Sequence, residues 1–396
     1  MTEFLRQINI SDFGSVVTGG TPSTSDSEMW GEGYPFVTPT EMDSRGMFPS
    51  AGRVVTEKAR SALRTKFCPA GSVAVCCIGA TIGKVVILPS ASLTNQQINS
   101  IVVNETLHDF RFVYYLMRTQ TARLRAVASG SATPLLNKSV FESLSVSVPP
   151  LSDQRAIAGV LGALDDKIDS NRRMADLLIR LARTMMSVGQ YEVRLGDIAK
   201  CDKGLSYKGN GLEEKASLGI PMINLANFGV DGWLDAEKMK FYSGDYKERH
   251  LLKAGDLVVA NTDLTQQRVI IGRPALVPPE LGVAIFTHHV TAIRPIEDEE
   301  LALPIWAQLN TPGFRERAEG FATGTTVAGL PVETLLDFQV QIPNGGVIRD
   351  ARELLQRVWA AETESKSLTL TRDALLPELL SGRLRVKDAE LMMENV

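Results

Sequence analysis

Apolar positions along the chain fall into two long helical seams. From Leu151 to Met186 there is no proline, and Ile157, Leu161, Leu164, Ile168, Asn171, Ala175, Leu178, Ala182 and Met185 recur at alternating steps of four and three. That spacing predicts a helix that packs along its length on another helix. Pro149 and Pro150 end whatever precedes it, and Ser152 or Asp153 is placed to cap its first turn. At about 1.5 Å per residue it reaches roughly 50 Å, more than a globular core needs. One other stretch matches it, Asp350 to Gly382, with Leu354, Val358, Ala361, Ser365, Leu368, Arg372, Leu375 and Leu379 in its seam. Thr369, Thr371 and Pro377 predict a looser end to this second helix. Asn171 and Ser365 are the polar members expected at equivalent seam positions.

Between the seams the pattern repeats. Tyr34-Pro35-Phe36-Val37 matches Ile220-Pro221-Met222-Ile223, and Pro69-Ala70-Gly71 matches Lys253-Ala254-Gly255. Ile82-Gly83-Lys84 matches Ile271-Gly272-Arg273, and Gln96-Gln97-Ile98-Asn99 matches His288-His289-Val290-Thr291. Ser129-Gly130-Ser131 matches Thr323-Gly324-Thr325, and Val146 to Pro149 matches Val340 to Pro343. A period near 190 residues is too long for a solenoid of about 20–50 residues per repeat, so it marks a duplicated domain plus helix.

Within each copy, short β-branched runs bounded by Gly, Pro and Ser predict strands at Ser72–Ile78, Val85–Leu88, Ile101–Val103 and Leu144–Val148. Phe110 to Ala126 reads as a helix, with Leu301 to Gly320 in the same place in the second copy. The fold expected is α+β: two similar domains, each a curled antiparallel sheet with helices, and two long helices.

Composition changes this picture little. The net charge is −4, which argues against holding a polyanion by bulk charge alone. No apolar run approaches about 18 residues, and the first residues lack the basic and apolar regions of a signal peptide. Cys68, Cys76, Cys77 and Cys201 form no CxxC, and His108, His250, His288 and His289 have no ligand spacing with them. Reduced cysteines in the cytoplasm and no metal are expected. Gly79 to Val85 resembles a phosphate loop but is one residue short between its glycines, and Val85 stands where Ser or Thr should bind magnesium. No Asn/Asp-Pro-Pro-aromatic motif of methyl transfer is present. Asp12 with Glu41 lacks supporting context, and Asp165 with Asp166 reads as solvated helix charge. No catalytic residue and no cofactor is assigned.

The order of domain and helix, the opening Leu151-Ser-Asp-Gln154-Arg-Ala-Ile157, the continuation Leu164-Asp165-Asp166-Lys-Ile168 and the closing Leu375-Leu376-Pro377…Ser381-Gly382 together resemble the specificity (S) subunit of type I restriction–modification systems. The family's Gly-Thr-Pro stretch is present as Gly20-Thr21-Pro22 in the first copy and altered to Leu205-Ser206-Tyr207 in the second. The second helix lacks the Asp-Gln opening and has Gly345-Gly346-Val347 instead.

The resemblance implies target-recognition domains at 1–150 and 191–344, long helices at 151–190 and 345–386 pairing as an antiparallel coiled coil, and a tail at 387–396. It implies a pseudo-twofold body on double-stranded DNA, each domain reading half of a bipartite, non-palindromic site and the helices fixing the spacer. The partners implied are two modification (methyltransferase) subunits and a restriction (motor-nuclease) subunit, with no membrane. Polar residues that differ between copies inside a repeated apolar frame are the candidate DNA contacts. They are Thr21, Ser23, Lys84, Asn95, Gln96 and Gln97 in the first copy, and Ser206, Tyr207, Lys208, Gln266, Gln267, Arg268, Arg273, His288 and His289 in the second. The rival reading is an adaptor that presents two duplicated domains to other proteins on a coiled coil.

Overall fold

The computed structural model describes residues 5–42, 46–50, 52–128, 134–229, 232–265, 268–324 and 327–393. Gln266, Gln267, Ser129, Gly130, Ser131 and Thr325, named above, lie outside them. The chain forms two compact units, one of residues 1–170 and 365–396, the other of residues 171–364.

In the first unit, β1 (Arg6–Asn9), β2 (Gly14–Thr18), β3 (Trp30–Val37), β4 (Arg53–Val55), β5 (Phe67–Cys68), β6 (Val73–Cys76), β7 (Val85–Ile87), β8 (Ser92–Thr94), β9 (Ile98–Val103) and β10 (Ser145–Val148) carry the sheets. The helices are α1 (Glu57–Ala62), α2 (Phe110–Thr119), α3 (Thr121–Ala128), α4 (Lys138–Glu142) and the first part of α5 (Leu151–Met185). One sheet runs β2-β9-β6-β7, a second β4-β3-β8-β5, and β1 pairs with β10. The single helix expected from Phe110 to Ala126 is two, because Gln120 closes α2 by donating its N–H to Met117 before Thr121 starts α3.

The second unit repeats the plan. It has β11 (Tyr191–Arg194), β12 (Ala199–Lys203), β13 (Leu212–Glu213), β14 (Ile220–Ile223), β15 (Lys240–Tyr242), β16 (Leu251–Leu252), β17 (Leu257–Ala260), β18 (Thr262–Asp263), β19 (Pro274–Leu276), β20 (Ala284–Phe286), β21 (Val290–Pro295), β22 (Ala328–Gly329) and β23 (Gln339–Ile342). Its helices are the rest of α5, α6 (Leu195–Ile198), α7 (Ala302–Leu309), α8 (Pro312–Phe321), α9 (Val332–Leu336) and α10 (Gly345–Leu380) up to residue 364. The remainder of α10, and α11 (Val386–Met393), return to the first unit, where Ala389 is buried. The order β12-β21-β17-β19 reproduces β2-β9-β6-β7, and β11–β23 reproduces β1–β10.

The expectation of purely antiparallel sheets needs correction. β3 pairs parallel to β8 through Phe36–Leu93 and Val37–Thr94, and β14 pairs parallel to β20 through Met222–Ile285 and Ile223–Phe286. These strands are separated in sequence by a crossover rather than a hairpin, which is what a parallel pair requires. Gly71 and Gly255 hold matching left-handed turns, φ +80° and +85°, before β6 and β17.

The long-helix segments belong to the cores. In the first unit, Ile157, Leu161 and Leu164 share a core with Leu375, Leu376 and Leu379. In the second, Ala175, Ile179, Ala182 and Met186 share one with Ile348, Ala351, Leu355 and Val358. Each of the Leu, Ile, Val and Met side chains removed from water contributes about 1.5–3 kcal/mol at most, and each alanine methyl well under that. Leu178, Met185 and Leu354 from the expected seam are only half-buried, and their neighbours Ile179, Met186 and Leu355 take the deep positions. Along α5 the buried positions, from Ile157 to Ile179, Ala182 and Met186, follow a period nearer 3.6 than the heptad's 3.5.

Ser152 and Asp153 do not cap α5, which already includes them. Gln154, 1% exposed, fixes this end instead: its amide donates to Pro149 O at 2.9 Å and its carbonyl accepts Asp109 N–H at 3.1 Å. Pro377 sits inside α10 without ending it, and Gly382 (φ +71°) terminates the helix, its N–H donating to Leu379.

Asp165, expected to be solvated, is buried. It accepts from the Arg372 guanidinium at 2.5 Å and from Tyr115 Oη at 2.7 Å, all within the first unit. Arg372 also grips Asp373 with Nε at 2.9 Å and Nη2 at 2.8 Å. In the second unit Asn171, 3% exposed, donates to Glu364 Oε2 at 2.7 Å and to Ala361 O at 3.5 Å. Ser365, its expected counterpart, is half-buried and belongs to the other unit.

Candidate nucleic-acid interface

In each unit three loops meet along one rim, and the same backbone hydrogen bonds hold them. In the first unit, Gly19 N–H donates to Ile98 O at 3.1 Å, Gly20 N–H to Thr94 O at 2.8 Å, Asn95 N–H to Val37 O at 2.9 Å, and Cys77 N–H to Gln97 O at 2.9 Å. In the second, Gly204 donates to Val290 O at 3.3 Å, Leu205 to Phe286 O at 2.8 Å, Thr287 to Ile223 O at 3.0 Å, and Asn261 to His289 O at 3.0 Å. A Cβ on Gly19 would lie 2.1 Å from Thr94 O, and one on Gly204 would lie 2.2 Å from Thr287 O. Only glycine lets the loop approach this closely.

On this shared frame the side chains differ. In the first unit, Thr21 Oγ1 donates to Gln96 Oε1 at 2.6 Å, and Asn95 Oδ1 accepts Gln97 N–H at 2.9 Å. Thr21 and Gln96 are exposed, and Asn95 and Gln97 half-buried. Ser23 is exposed, and its hydroxyl meets that of Ser25 at 2.8 Å. These residues form one polar cluster. Lys84 lies apart, on the hairpin between β6 and β7, and donates to Pro39 O at 3.3 Å. The glycine-rich stretch before it is a short 3-10 turn in that hairpin.

In the second unit the rings of His288 and His289 lie 3.9 Å apart, and His289 Nδ1 meets Thr262 Oγ1 at 2.8 Å. Burial, then the neighbouring His288, lowers the His289 pKa below its ordinary 6.5, so the ring is neutral at pH 7. Three buried polar atoms here, His288 Nδ1, Asn261 Oδ1 and Thr287 Oγ1, have no hydrogen-bond partner among the described residues. Ser206 and Lys208 are exposed, and Tyr207 packs edge-on to Tyr242 at 6.1 Å.

Two candidates are committed elsewhere. Arg268, at φ +50°, gives its guanidinium to the carbonyls of Glu319 and Gly324 at 3.1 and 3.4 Å, and Arg273 Nε donates to Val269 O at 2.6 Å. Both tie backbone together.

One organising residue has no motif around it. Asp263, fully buried, accepts Thr265 N–H and Oγ1 at 2.7 Å each, Ile270 N–H at 2.6 Å and Ile271 N–H at 3.2 Å. Burial opposes its charge, but these donors outweigh that and hold its pKa below the ordinary carboxylate value.

The carboxylates that sequence pairing suggested are turn caps. Asp12 accepts Asn9 N–H, and Glu41 accepts the Thr38 N–H and hydroxyl. All four cysteines are free, and burial pushes the Cys77 thiol up to about 12, far from a reactive thiolate. Among the described residues no cluster of three His, Cys, Asp or Glu is placed to hold a metal. No described helix is long and apolar enough to cross a membrane.

Residues 6–178 match the family model described as the type I restriction modification DNA specificity domain. The chain is similar to the type I restriction enzyme MjaIX specificity subunit of Methanocaldococcus jannaschii, 25% identical over 96% of this chain and 93% of that one. It is also similar to the type I restriction enzyme HindI specificity subunit of Haemophilus influenzae, 33% identical over 35% of this chain and 31% of that one. In fold it resembles the crystal structure of a type I restriction–modification S subunit from M. genitalium, with a TM-score of 0.60, 16% identity, and coverage of 95% and 96% of the two chains.

Proposed function

Because residues 6–178 match the DNA specificity domain and the chain is similar along most of its length to a type I specificity subunit, we propose that it is such a subunit and that each unit reads one half of a bipartite, non-palindromic site in double-stranded DNA. The observation that carries this is the pair of rims. The two backbones are held by equivalent hydrogen bonds, yet one presents Thr21, Asn95, Gln96 and Gln97 where the other presents Ser206, Thr287, His288 and His289. Amides read adenine bidentately, and a frame that repeats while its donors and acceptors change suits two different half-sites. The unpartnered atoms at His288, Asn261 and Thr287 are groups that an incoming base edge or bridging water would satisfy.

In this reading α5 and α10 pair antiparallel and set the number of unread base pairs. Asp165 meeting Arg372 in one unit, and Asn171 meeting Glu364 in the other, support that pairing. The chain has no catalysis of its own. Two modification subunits dock on the helices and methylate, and a restriction subunit completes a cytoplasmic complex.

The test is methylation of a randomised target library by the chain assembled with its modification subunits. Gln96→Ala with Gln97→Ala should relax the first half-site, at about 1–3 kcal/mol for each bidentate base pairing removed, and leave the second intact. His288→Ala with His289→Ala should do the reverse. A pair of substitutions that disturbs both half-sites equally in a folded complex would overturn the independent-reader model. A wild-type complex that methylates no bipartite motif would overturn DNA reading itself and favour the protein adaptor.

A further inference from the structure

Resting on that reading, we infer that Arg53 is a base-reading residue of the first unit, and that Lys240 is its phosphate-binding counterpart in the second. Neither lies in a recognisable motif. Arg53 is exposed on β4, opposite Phe36 of β3. Its guanidinium carbon sits 3.6 Å from the centre of the Trp30 ring and 5.8 Å from that of Phe36. Trp30 is itself fixed, edge-on to Phe36 at 5.2 Å, with its indole N–H donating to Ser23 O at 3.0 Å. The platform beneath Arg53 is therefore tied to the polar loop of the rim. Val37, the residue after Phe36, accepts the N–H of Asn95. At about 4.8 Å per strand spacing, Arg53 stands two strands, or roughly 10 Å, from that loop.

What distinguishes Arg53 is that its donors are free. Its neighbours are engaged: Lys58 pairs with Asp26 and Glu28, each at 2.8 Å, and Arg60 donates to Tyr34 Oη and Glu57. Among the described residues, the Arg53 side chain makes no hydrogen bond and meets no carboxylate. A guanidinium lying on an aromatic face keeps its N–H groups in the ring plane's own direction, pointing outward as a two-pronged fork. That fork fits O6 and N7 of guanine, and the stack removes rotamer freedom before binding does.

The duplication supplies an independent observation. Phe36 opposes Arg53 as Met222 opposes Lys240, each pair one step on from a matching proline, Pro35 or Pro221. Lys240 is also exposed, and among the described residues its side chain makes no ion pair or hydrogen bond. The same register position thus carries a free cation in both units of an acidic chain. Lys240 has no ring beneath it among the described residues, so it is a mobile point charge, suited to phosphate rather than to a base edge.

The assembled complex, with a randomised methylation library and binding titrations at several salt concentrations, tests both assignments. Arg53→Lys keeps the charge and removes the fork. It should erase a guanine preference at one position of the first half-site, a loss of roughly 5- to 150-fold in discrimination, with the second half-site unchanged as an internal control of folding. Lys240→Ala should weaken all sequences alike, lower the salt slope by about 0.9, and leave the motif unaltered. Arg53→Lys with every first-half-site preference retained would overturn the inference, as would uniform weakening or loss at both half-sites. A motif altered, or a salt slope unchanged, in Lys240→Ala would overturn the second assignment. A wild-type complex without any bipartite motif would instead fail the underlying reading.

Discussion

The buried Asp165–Arg372–Tyr115 network offers the sharpest test of how the long helices are held. Arg372 is 4% exposed and Asp165 9% by side chain, so Asp165→Ala strands a buried guanidinium and the Tyr115 hydroxyl together. Removing one member of a buried pair costs about 3–5 kcal/mol. Arg372 keeps its two bonds to Asp373, which is 51% exposed, so the lower end, about 3 kcal/mol, is expected. Amide hydrogen exchange in residues 155–168 and 366–380 reads this locally. If these segments exchange by cooperative opening of the helix pair, 3 kcal/mol speeds exchange roughly 150-fold. Asp165→Leu with Arg372→Leu and Tyr115→Phe removes every stranded group and should restore protection to near the wild-type level or above. A change under about fivefold in Asp165→Ala would refute the network's role. Failure of the triple variant to recover would show that packing, not the stranded charge, sets the cost.

Other outcomes follow from particular contacts. Asp263→Ala should release the loop before Ile270 and abolish reading at the second half-site only, at about 2–4 kcal/mol on binding, checked by library methylation. Folded-state pKa values below the ordinary 6.5 mean that His108 and His289 bind protons more readily when unfolded. Stability is therefore full above pH 6.5 and falls as pH drops below it, and His289→Gln should flatten that fall in denaturant titrations at pH 7.5 and 5.5. Lengthening α5 and α10 by one turn each should widen the unread spacer by about 1–2 base pairs, since a turn is about 5.4 Å and a base pair about 3.4 Å; an unchanged spacer in the methylome would count against the ruler. Exchanging residues 1–149 with those of a relative should change one half-site and spare the other.

The duplication and both long helices are legible because they rest on periodicity, which a sequence displays directly. Pro35 and Pro221 mark equivalent strands, and Gly71 and Gly255 equivalent turns, without any structure. The parallel pairs β3–β8 and β14–β20 are not legible, since pairing direction depends on where a chain returns, not on any local run. Asp165 misleads for a related reason. A carboxylate one position from Leu164 has the same sequence signature whether it faces water or a buried Arg372 some two hundred residues away. A 3.5 period selects Leu178 and Met185, and the 3.6 of a straight helix moves burial to Ile179 and Met186. Arg268 and Arg273 match DNA-contact chemistry by type, but an arginine's five donors serve carbonyl ends as readily as phosphates, and only geometry separates the two.

The division of labour inside each unit follows from these contacts. Backbone bonds from Gly19 and Gly204, with glycine enforced by the facing carbonyls, determine where the rim loops run. Because those bonds use main-chain atoms, they place no demand on the side chains at Gln96 and Gln97 or at His288 and His289. Substitution there alters which donors and acceptors face outward while the sheet beneath keeps its register. The same holds two strands further out, where Arg53 and Lys240 share a backbone position but differ in what they can recognise. A duplicated domain can thus diverge in reading without losing its fold, whereas a change at Asp263, whose bonds are to backbone N–H groups, moves the loop itself. Substitutions at the first kind of position should shift sequence preference at constant stability above pH 6.5, and those at the second should lose both together.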